Sequence, residues 1–228
     1  MNRSSISVLI PSYNEQVTLG GVFYQCLDVL KGLQVDFEII LCDDASLDHT
    51  GEIIKELLTH CPQARAIYHQ QNQGIFKTFE ELYQAASKDL VILFPGDGQW
   101  DPGLLRPALE AIQGYDVLIA ARRHKQYTVF RQINSWTFNN LVKALYGIDL
   151  YDIGTVKLCK REILQTIPVE TQSAFSEAER LLKARKKGYK FNVIWVEHKD
   201  RKGGKAAGAK LKNVIKAFKD LVLFRFKY

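Results

Sequence analysis

The sequence lacks the long apolar segments that mark membrane-spanning or secreted proteins. Its longest apolar runs, such as residues 90–94, fall far short of the roughly 20 residues that a transmembrane helix requires. The N-terminus meets Pro11 and charged residues too early for a signal peptide. We therefore expect a cytoplasmic protein, or one that is peripheral on the cytoplasmic face of a membrane.

Cysteine is scarce, and histidine shows no metal-binding pattern. The four cysteines (Cys26, Cys42, Cys61 and Cys159) are widely spaced, and no Cys-x-x-Cys occurs. The five histidines are not spaced as metal ligands. We predict reduced, structural cysteines, with neither a disulfide framework nor a zinc site.

Two glycine-rich phosphate-binding fingerprints are also missing. Gly-x-Gly-x-x-Gly does not follow the first predicted strand, and Gly-x-x-x-x-Gly-Lys-Ser/Thr does not occur. Their absence argues against an NAD-dependent enzyme and a P-loop NTPase. A carboxylate after a strand can still bind a ribose or a base edge, and another can hold a metal ion beside a diphosphate.

The chain has 228 residues and is 46% apolar, enough for a full core. Its net charge of +6 is unevenly distributed. Residues 199–228 contain ten Lys/Arg and two Asp/Glu, whereas the other residues contain 21 and 23. We predict a domain at residues 1–198 and a basic extension at 199–228, which favours a local anionic partner over a chain-wide nucleic-acid surface.

Apolar periodicity alternates between strands and helices along residues 6–120. We predict strands at residues 6–10, 37–42, 64–68, 90–94 and 116–120, and helices at residues 17–30, 50–60, 76–87 and 104–112. This alternation predicts an α/β fold, with a Rossmann-like, mostly parallel sheet and helices on both faces. The nearly continuous apolar strands are typical of strands buried on both sides.

Polar clusters follow three of the predicted strands, at residues 11–15, 43–44 and 96–99. Ligands bind such sheets outside the carboxyl ends of the strands, so the clusters predict one shared crevice. Residues 94–102 (Phe-Pro-Gly-Asp-Gly-Gln-Trp-Asp-Pro) have two interpretations. They are a surface turn that starts a helix at Asp101-Pro102, or a ligand loop in which Asp97 and Gln99 offer oxygen atoms to a hard cation.

The ordered motifs resemble those of family 2 glycosyltransferases with the GT-A fold, and most closely the polyprenyl-phosphate sugar transferases. The motifs that carry this resemblance are residues 10–15 (Ile-Pro-Ser-Tyr-Asn-Glu), 43–50 (Asp-Asp-Ala-Ser-Leu-Asp-His-Thr), 72–74 (Asn-Gln-Gly) and 97–102 (Asp-Gly-Gln-Trp-Asp-Pro). Weaker matches continue at residues 121–123, 155–158, 175–179 and 184–189. The resemblance covers residues 6 to about 210.

The resemblance implies inverting transfer of a sugar from a nucleotide-diphosphate sugar, with Mg²⁺ or Mn²⁺ as cofactor. The residues that it assigns to the donor nucleotide are Pro11, Tyr13, Glu15, Asp43, Asp44, Gly74 and Arg123. Asp97 would bind the cation with help from Gln99, and Arg122 beside Arg123 would face phosphate oxygens. The candidates for direct catalysis are Asp97, Arg122 and Glu177.

One residue departs from the family pattern at the cation site. The family usually has Asp-x-Asp before the glycine, and here the first position is Pro95. Because Mg²⁺ accepts few protein ligands when phosphates and waters supply the rest, a weakened site is compatible with activity. A non-catalytic protein that binds nucleotide sugars is the alternative.

The resemblance implies a polyprenyl phosphate as the acceptor, and the alternative is a glycan hydroxyl in cell-surface polysaccharide synthesis. A phosphate acceptor is already an anion, whereas a hydroxyl needs a base within about 3 Å. Asp152, Glu177 and Glu179 are candidate bases, although Glu177 and Glu179 also fit an exposed helix face.

The C-terminal segment predicts a basic amphipathic helix. Its apolar residues recur at helical spacing, with lysines off the stripe: Leu211, Val214, Ile215, Phe218, Leu221 and Val222. The helix lies on a membrane surface, packs on its own domain, or does both with Phe224 and Phe226 exposed to lipid. We expect no nucleic-acid binding, because the tail lacks an interleaved array of stacking aromatics. The sequence leaves the oligomeric state open.

Overall fold

The computed structural model describes residues 5–123, 129–197 and 211–228, and of residues 129–131 and 211–212 it describes the backbone alone. Within these residues the chain forms a seven-stranded sheet flanked by helices. The strands are β1 (Ile6–Ser12), β2 (Phe37–Asp43), β3 (Ala64–Tyr68), β4 (Leu90–Leu93), β5 (Val117–Arg122), β6 (Lys157–Lys160) and β7 (Phe191–Val196). The helices are α1 (Leu19–Leu33), α2 (Thr50–Thr59), α3 (Ile75–Ala85), α4 (Leu105–Ala111), α5 (Val129–Tyr146), α6 (Arg161–Thr166), α7 (Ser176–Lys186) and α8 (Leu211–Arg225).

The sheet is mostly parallel, with the strand order β3-β2-β1-β4-β6-β5-β7. The pairs β1–β2, β1–β4, β2–β3 and β5–β7 are parallel. β6 is antiparallel to both of its neighbours, β4 and β5. The carboxyl ends of β1, β2, β4 and β5 therefore lie along one edge of the sheet.

Helices cover both faces of the sheet, which explains the nearly continuous apolar strands. Successive side chains of a strand point to opposite faces. In β1, Val8 and Ile10 pack with α1, α2 and α4, whereas Leu9 packs with the layer of α3 and α5 to α8. The prediction of an α/β sheet covered on both sides is confirmed.

The structure confirms the predicted order of the first five strands and the helices between them, and adds elements that the sequence analysis missed. β6, β7, α5 and α6 were not predicted. The Asp101-Pro102 helix start is confirmed, since Asp101 caps a 3-10 turn (Pro102–Leu104) by accepting the Gly103 N–H at 2.9 Å.

All four cysteines are free and buried. Burial raises the pKa of the Cys42 and Cys159 thiols to about 12.

The C-terminal helix α8 packs on the domain rather than standing apart from it. Phe224 is buried against Phe175 and Tyr146, with ring centroids 5.4 and 6.0 Å away. The expectation that Phe224 is exposed to lipid was therefore wrong, whereas Phe226 is 85% exposed. The predicted boundary at residues 198 and 199 lies outside the described residues, so the division into a domain and an extension stays a prediction.

Candidate active site

Three loops meet at the carboxyl ends of neighbouring strands. β1 lies between β2 and β4, and all three run in the same direction. The Asp44 N–H donates to the Ser12 carbonyl oxygen at 3.0 Å, and the Gly96 N–H donates to the Pro11 carbonyl oxygen at 3.1 Å. The polar residues after the three strands thus surround one crevice, which is where parallel sheets bind ligands.

The loop after β1 is tied to the start of α2. Asn14 has a φ of 56°, a left-handed conformation that Asn tolerates better than most residues. Its N–H donates to Ser46 Oγ at 2.9 Å, and its Oδ1 accepts the Leu47 N–H at 2.8 Å. The Glu15 N–H donates to Thr50 Oγ1 at 2.9 Å. These bonds fix the first loop against the second.

The three residues expected to frame the base and ribose lie at different depths. Pro11 is buried at the end of β1, where its ring packs inside the sheet. Tyr13 stands at the rim with its ring partly exposed, so it offers an aromatic face to a ligand. Glu15 is buried, and its Oε2 lies 3.3 Å from Thr18 Oγ1. Their assignment to the nucleotide stays a prediction.

Asp43 ends β2 with its carboxylate at the start of α2. Its Oδ1 accepts the Ser46 N–H at 2.9 Å, and its side chain is buried. A Cβ on Gly51, in the first turn of α2, would stand 2.8 Å from Asp43 Oδ2. Glycine at this position therefore gives the carboxylate room close to the positive end of the helix dipole.

Asp44 uses both carboxylate oxygens to hold the loop that precedes α3. Oδ1 accepts the Gln73 N–H at 2.6 Å, and Oδ2 accepts the Gly74 N–H at 2.9 Å. Gly74, at the N-terminus of α3, has a φ of 83°, which favours glycine. The structure thus gives Asp44 and Gly74 a loop-positioning role, and their contact with a nucleotide stays a prediction.

His69 connects the same loop to α3. Its Nδ1 lies 2.6 Å from Asp44 Oδ1, and its Nε2 lies 2.8 Å from Glu81 Oε2. Burial lowers the His69 pKa, but the hydrogen bonds and negative charges of Asp44 and Glu81 outweigh burial and raise the pKa above its usual value. The imidazole therefore bridges two carboxylates, and both favour its protonated form.

The loop after β4 is held close to the loop after β1. A Cβ on Gly96 would stand 2.8 Å from Ser12 Oγ and 3.4 Å from the Pro11 carbonyl oxygen, so a larger residue would have to displace the Ser12 side chain. Thr18 Oγ1 donates to the Gly96 carbonyl oxygen at 2.7 Å. Within the loop, the Gln99 N–H donates to Asp97 Oδ1 at 3.1 Å. Asp97 and Gln99 are half-buried, whereas Ser12 Oγ, which faces Gly96, is buried and has no hydrogen-bond partner among the described residues.

The donor atoms at this loop suit a hard divalent cation that arrives with phosphates. Asp97 offers a carboxylate and Gln99 an amide oxygen, the ligand type that Mg²⁺ and Mn²⁺ prefer. In the described part of the chain, no three His, Cys, Asp or Glu side chains cluster as a metal site. Pro95 stands at the first position of the family's Asp-x-Asp pattern, so a cation bound here would need the diphosphate and water as its remaining ligands.

Arg122 is buried at the end of β5 and is paired with Asp152. Its Nε donates to Asp152 Oδ2 at 2.7 Å and its Nη2 to Asp152 Oδ1 at 2.8 Å, a bidentate geometry. Its guanidinium carbon lies 5.7 Å from the centre of the Trp100 ring. This pairing ties β5 to the loop before β6, and differs from the phosphate contact that the sequence analysis expects of Arg122.

Arg123, the next residue, is exposed and lines a cleft of about 660 Å³. The cleft lies between the end of β5, α5 and the loop after α5. Its other residues are mostly polar: Arg122, Gln132, Ser135, Trp136, Asn139, Asn140, Lys143, Asp149 and Tyr151. Of the two adjacent arginines, Arg123 is therefore the better placed to meet a ligand phosphate.

Each of the three candidate bases is engaged by other side chains. Asp152 is paired with Arg122, as described above. Glu177 Oε2 lies 3.3 Å from both Lys157 Nζ and Tyr83 Oη. Glu179 is fully buried. Its oxygens accept from the Thr171 hydroxyl and Lys183 Nζ, both at 2.7 Å. Glu179 is therefore not on an exposed helix face, and the catalytic role of Glu177 stays a prediction.

Two residues that organise the crevice were missed by the sequence analysis. Thr18 precedes α1, where Thr normally caps the helix through its hydroxyl. Here no side-chain cap forms, and the hydroxyl donates to the Gly96 carbonyl oxygen instead. His69 follows β3 without a surrounding motif. Neither role has a local sequence signal, because each depends on a partner more than 20 residues away.

Among the described residues, no helix is both long and apolar enough to cross a membrane.

Similar chains have been identified by sequence. Undecaprenyl-phosphate 4-deoxy-4-formamido-L-arabinose transferase of Pectobacterium carotovorum is 31% identical over 153 residues, which are 66% of this chain and 46% of that protein. The enzyme of the same name from Aeromonas hydrophila is 30% identical over 173 residues, 73% of this chain and 53% of that protein. The chain thus spans about half the length of these relatives.

Solved structures share the fold at low sequence identity. Glucosyl-3-phosphoglycerate synthase from Mycobacterium tuberculosis, in complex with Mg²⁺ and uridine diphosphate, aligns with a TM-score of 0.76 and 16% identity over 97% of this chain and 79% of that one. Mannosyl-3-phosphoglycerate synthase from Rubrobacter xylanophilus gives a TM-score of 0.76 and 17% identity over 98% and 74%. This likeness establishes the GT-A fold.

The family model described as glycosyl transferase family 2 matches residues 7–176, which include β1 apart from Ile6, the strands β2 to β6 and the three loops of the crevice. The sequence motifs had predicted this family and the GT-A fold, and both predictions are confirmed. The chain belongs to glycosyltransferase family 2.

Proposed function

We propose that this chain transfers a sugar from a nucleotide-diphosphate sugar to a polyprenyl phosphate, with inversion at the anomeric carbon. The proposal is supported by family membership, by the carboxylates around the crevice, and by the names of the relatives that use undecaprenyl phosphate. Because the chain spans about half of those relatives, its own donor and acceptor have to be measured.

The choice of acceptor rests on the carboxylates near the crevice. Asp152 pairs with Arg122, Glu177 with Lys157 and Glu179 with Lys183. A hydroxyl acceptor needs a base within hydrogen-bonding reach, and each of these candidates already has a cationic partner. A polyprenyl phosphate is an anion at neutral pH, so its oxygen attacks without prior deprotonation. The engaged carboxylates therefore favour the phosphate acceptor.

In the proposed reaction, an acceptor phosphate oxygen bonds to the anomeric carbon as the bond from that carbon to the diphosphate oxygen breaks. The diphosphate leaves with a developing negative charge, and a bound divalent cation supplies part of its neutralisation. Asp97 and Gln99 would hold this cation. Arg123 would donate to phosphate oxygens, and Asp43 would accept a hydrogen bond from the base or ribose.

The first test is calorimetric titration with UDP-, GDP- and dTDP-sugars, each with and without Mn²⁺ or Mg²⁺. We expect one donor to bind in a metal-dependent way, and Asp97→Ala to abolish that binding. Asp101→Asn is the matched control, because it removes a carboxylate charge from the same loop but keeps an oxygen for the helix cap. Absence of binding by every donor would mean that Pro95 has abolished the donor site, and would overturn the proposed function.

The second test follows turnover with undecaprenyl phosphate dispersed in detergent, with glycan acceptors in parallel. We expect a sugar-phosphate-lipid product whose anomeric configuration, determined by NMR, is opposite to that of the donor. Turnover of a glycan but not of the lipid phosphate would overturn the proposed acceptor, and retention of configuration would overturn the proposed stereochemistry.

A further inference from the structure

The apolar stripe of α8 is divided between two faces of the helix. The inner face packs on the domain through Ala217, Leu221 and Phe224, which are all buried. Ile215 and Val222, which the sequence places on the same stripe, are 60% and 46% exposed. Helix α8 therefore contributes buried side chains to the core and also exposes apolar side chains to solvent.

The outer face of α8 combines apolar and basic residues. At about 100° per residue, Ile215, Lys219, Val222 and Phe226 share one side of the helix, opposite Ala217 and Phe224. Leu223 is 50% exposed beside them. We refer to these five residues as the α8 outer face. Lys216 is not part of it, because its Nζ donates to the Gln172 carbonyl oxygen at 2.7 Å.

The adjacent helix α5 adds exposed apolar residues. α5 and α8 run side by side in the same direction, since Phe138 contacts Phe218 and Tyr146 contacts Phe224, with ring centroids 5.5 and 6.0 Å apart. On the turns that precede Phe138, α5 exposes Ile133 and Trp136. Trp136 also lines the Arg123 cleft, so this apolar surface borders that cleft.

The charge around the α8 outer face indicates what covers it. Residues 211–228 contain five Lys/Arg and one acidic residue, Asp220. Asp220 adds no exposed charge to the outer face through its Oδ2, because that atom is buried. The charged residue of the outer face is thus the cation Lys219, and the exposed Arg225 lies next to Phe226 in the chain. The outer face complements an anionic surface that also accepts apolar side chains, a combination found at membrane interfaces but not on nucleic acids.

We propose that the α8 outer face docks this protein on an anionic membrane surface. Ile215, Val222, Leu223 and Phe226 enter the boundary between head groups and acyl chains, while Lys219 reaches the lipid phosphates. β7 ends at Val196, which pairs with Arg122 at the edge of the sheet that carries the crevice. Docking on this side brings the Arg123 cleft near the lipid surface.

The test measures binding of the purified chain to vesicles by co-sedimentation, without donor or acceptor, so it does not depend on the proposed function. One set of vesicles contains phosphatidylcholine alone, and the other contains roughly one third phosphatidylglycerol. We expect binding to the anionic vesicles only, and a weaker interaction at high ionic strength. Equal binding to both sets, or to neither, would overturn the proposal.

Two variants and two matched controls test whether the α8 outer face is responsible for vesicle binding. Lys219→Glu should weaken vesicle binding by about tenfold, and Phe226→Ser should weaken it by about tenfold as well. Lys55→Glu makes the same charge change on α2, across the sheet. Leu47→Ser removes an apolar residue of similar exposure, 88% against 85%. All four positions are exposed, so unchanged thermal unfolding is expected.

Two outcomes would contradict the assignment to α8. Equal weakening by the control variants would mean that net charge or general hydrophobicity, and not the α8 outer face, governs binding. A concentration-dependent dimer that Phe226→Ser abolishes, detected by light scattering, would mean that a second copy covers the face.

Loss of vesicle binding with full activity on detergent-dispersed acceptor would separate docking from catalysis.

Discussion

Adjacent residues in this chain have opposite environments, and the arginine pair at the end of β5 is the clearest case. Arg122 is buried and holds Asp152 through two hydrogen bonds, whereas Arg123 is exposed in a cleft. A sequence motif cannot distinguish the two, because either guanidinium can reach a phosphate. The structure therefore predicts that substitution of Arg122 lowers stability, whereas substitution of Arg123 lowers activity.

Arg122→Ala should lower the free energy of unfolding by about 3–5 kcal/mol, because it leaves the buried Asp152 carboxylate without its partner. Arg123→Ala should change that free energy by less than about 0.5 kcal/mol but lower turnover by about 100-fold. Urea unfolding and steady-state kinetics on both variants check this prediction. A stable Arg122→Ala protein, or a fully active Arg123→Ala protein, would contradict it.

Pro95 permits a gain-of-function test at the predicted cation site. Pro95→Asp restores the second carboxylate and should strengthen Mn²⁺ binding by roughly tenfold when a nucleoside diphosphate is present. Pro95→Ala removes the proline ring without adding a charge. It therefore separates the effect of losing the ring from the effect of gaining a carboxylate. Calorimetric titration of Mn²⁺ into each variant is the measurement, and equal affinity in both would argue against a metal ion at this loop.

At the scale of elements, short loops are held in place by side chains from distant strands. Asp44, at the end of β2, fixes residues 73 and 74 and contacts His69. His69 in turn contacts Glu81 on α3. The predicted nucleotide crevice therefore depends on a small network of one imidazole and two carboxylates, whose charge changes with pH.

Because the pKa of His69 is higher in the folded protein than in the unfolded chain, protonation of His69 stabilises the fold. This contribution is complete below the unfolded pKa of about 6.5 and is lost as the pH rises through the higher folded value. We expect a decrease in stability across this range, and a flatter profile in His69→Gln. Urea unfolding between about pH 6 and about pH 9 tests it, and an unchanged profile in the variant would contradict it.

At the scale of the whole molecule, α8 belongs to the folded domain as well as to the surface. Phe224→Ala should lower the free energy of unfolding by about 3–5 kcal/mol, because Phe224 packs with Phe175 and Tyr146 in the core. Phe226→Ala, two residues further on, should change it by less than about 0.5 kcal/mol. Thermal and urea unfolding give both values. Equal effects would mean that α8 is a separate extension.

The sequence predicted the elements whose signals are local. Continuous apolar strands and amphipathic helices defined β1 to β5 and their order, and the motifs at the strand ends located the crevice. Features that depend on distant partners were not predictable: the antiparallel β6, the Arg122–Asp152 pair and the Thr18 hydroxyl on Gly96. The two faces of α8 were not separable either, since helical spacing does not tell which apolar residues meet the core.

The position of β6 has a consequence for synthesis on the ribosome. β4 and β5 are not neighbours, because β6 lies between them and pairs with both. Until residues 157–160 have emerged, β4 can pair only with β1, and its apolar residues 90–93 form an open edge. Such an edge recruits strands from other chains. A nascent chain that stalls before β6 therefore exposes an aggregation-prone half-sheet that the finished protein conceals.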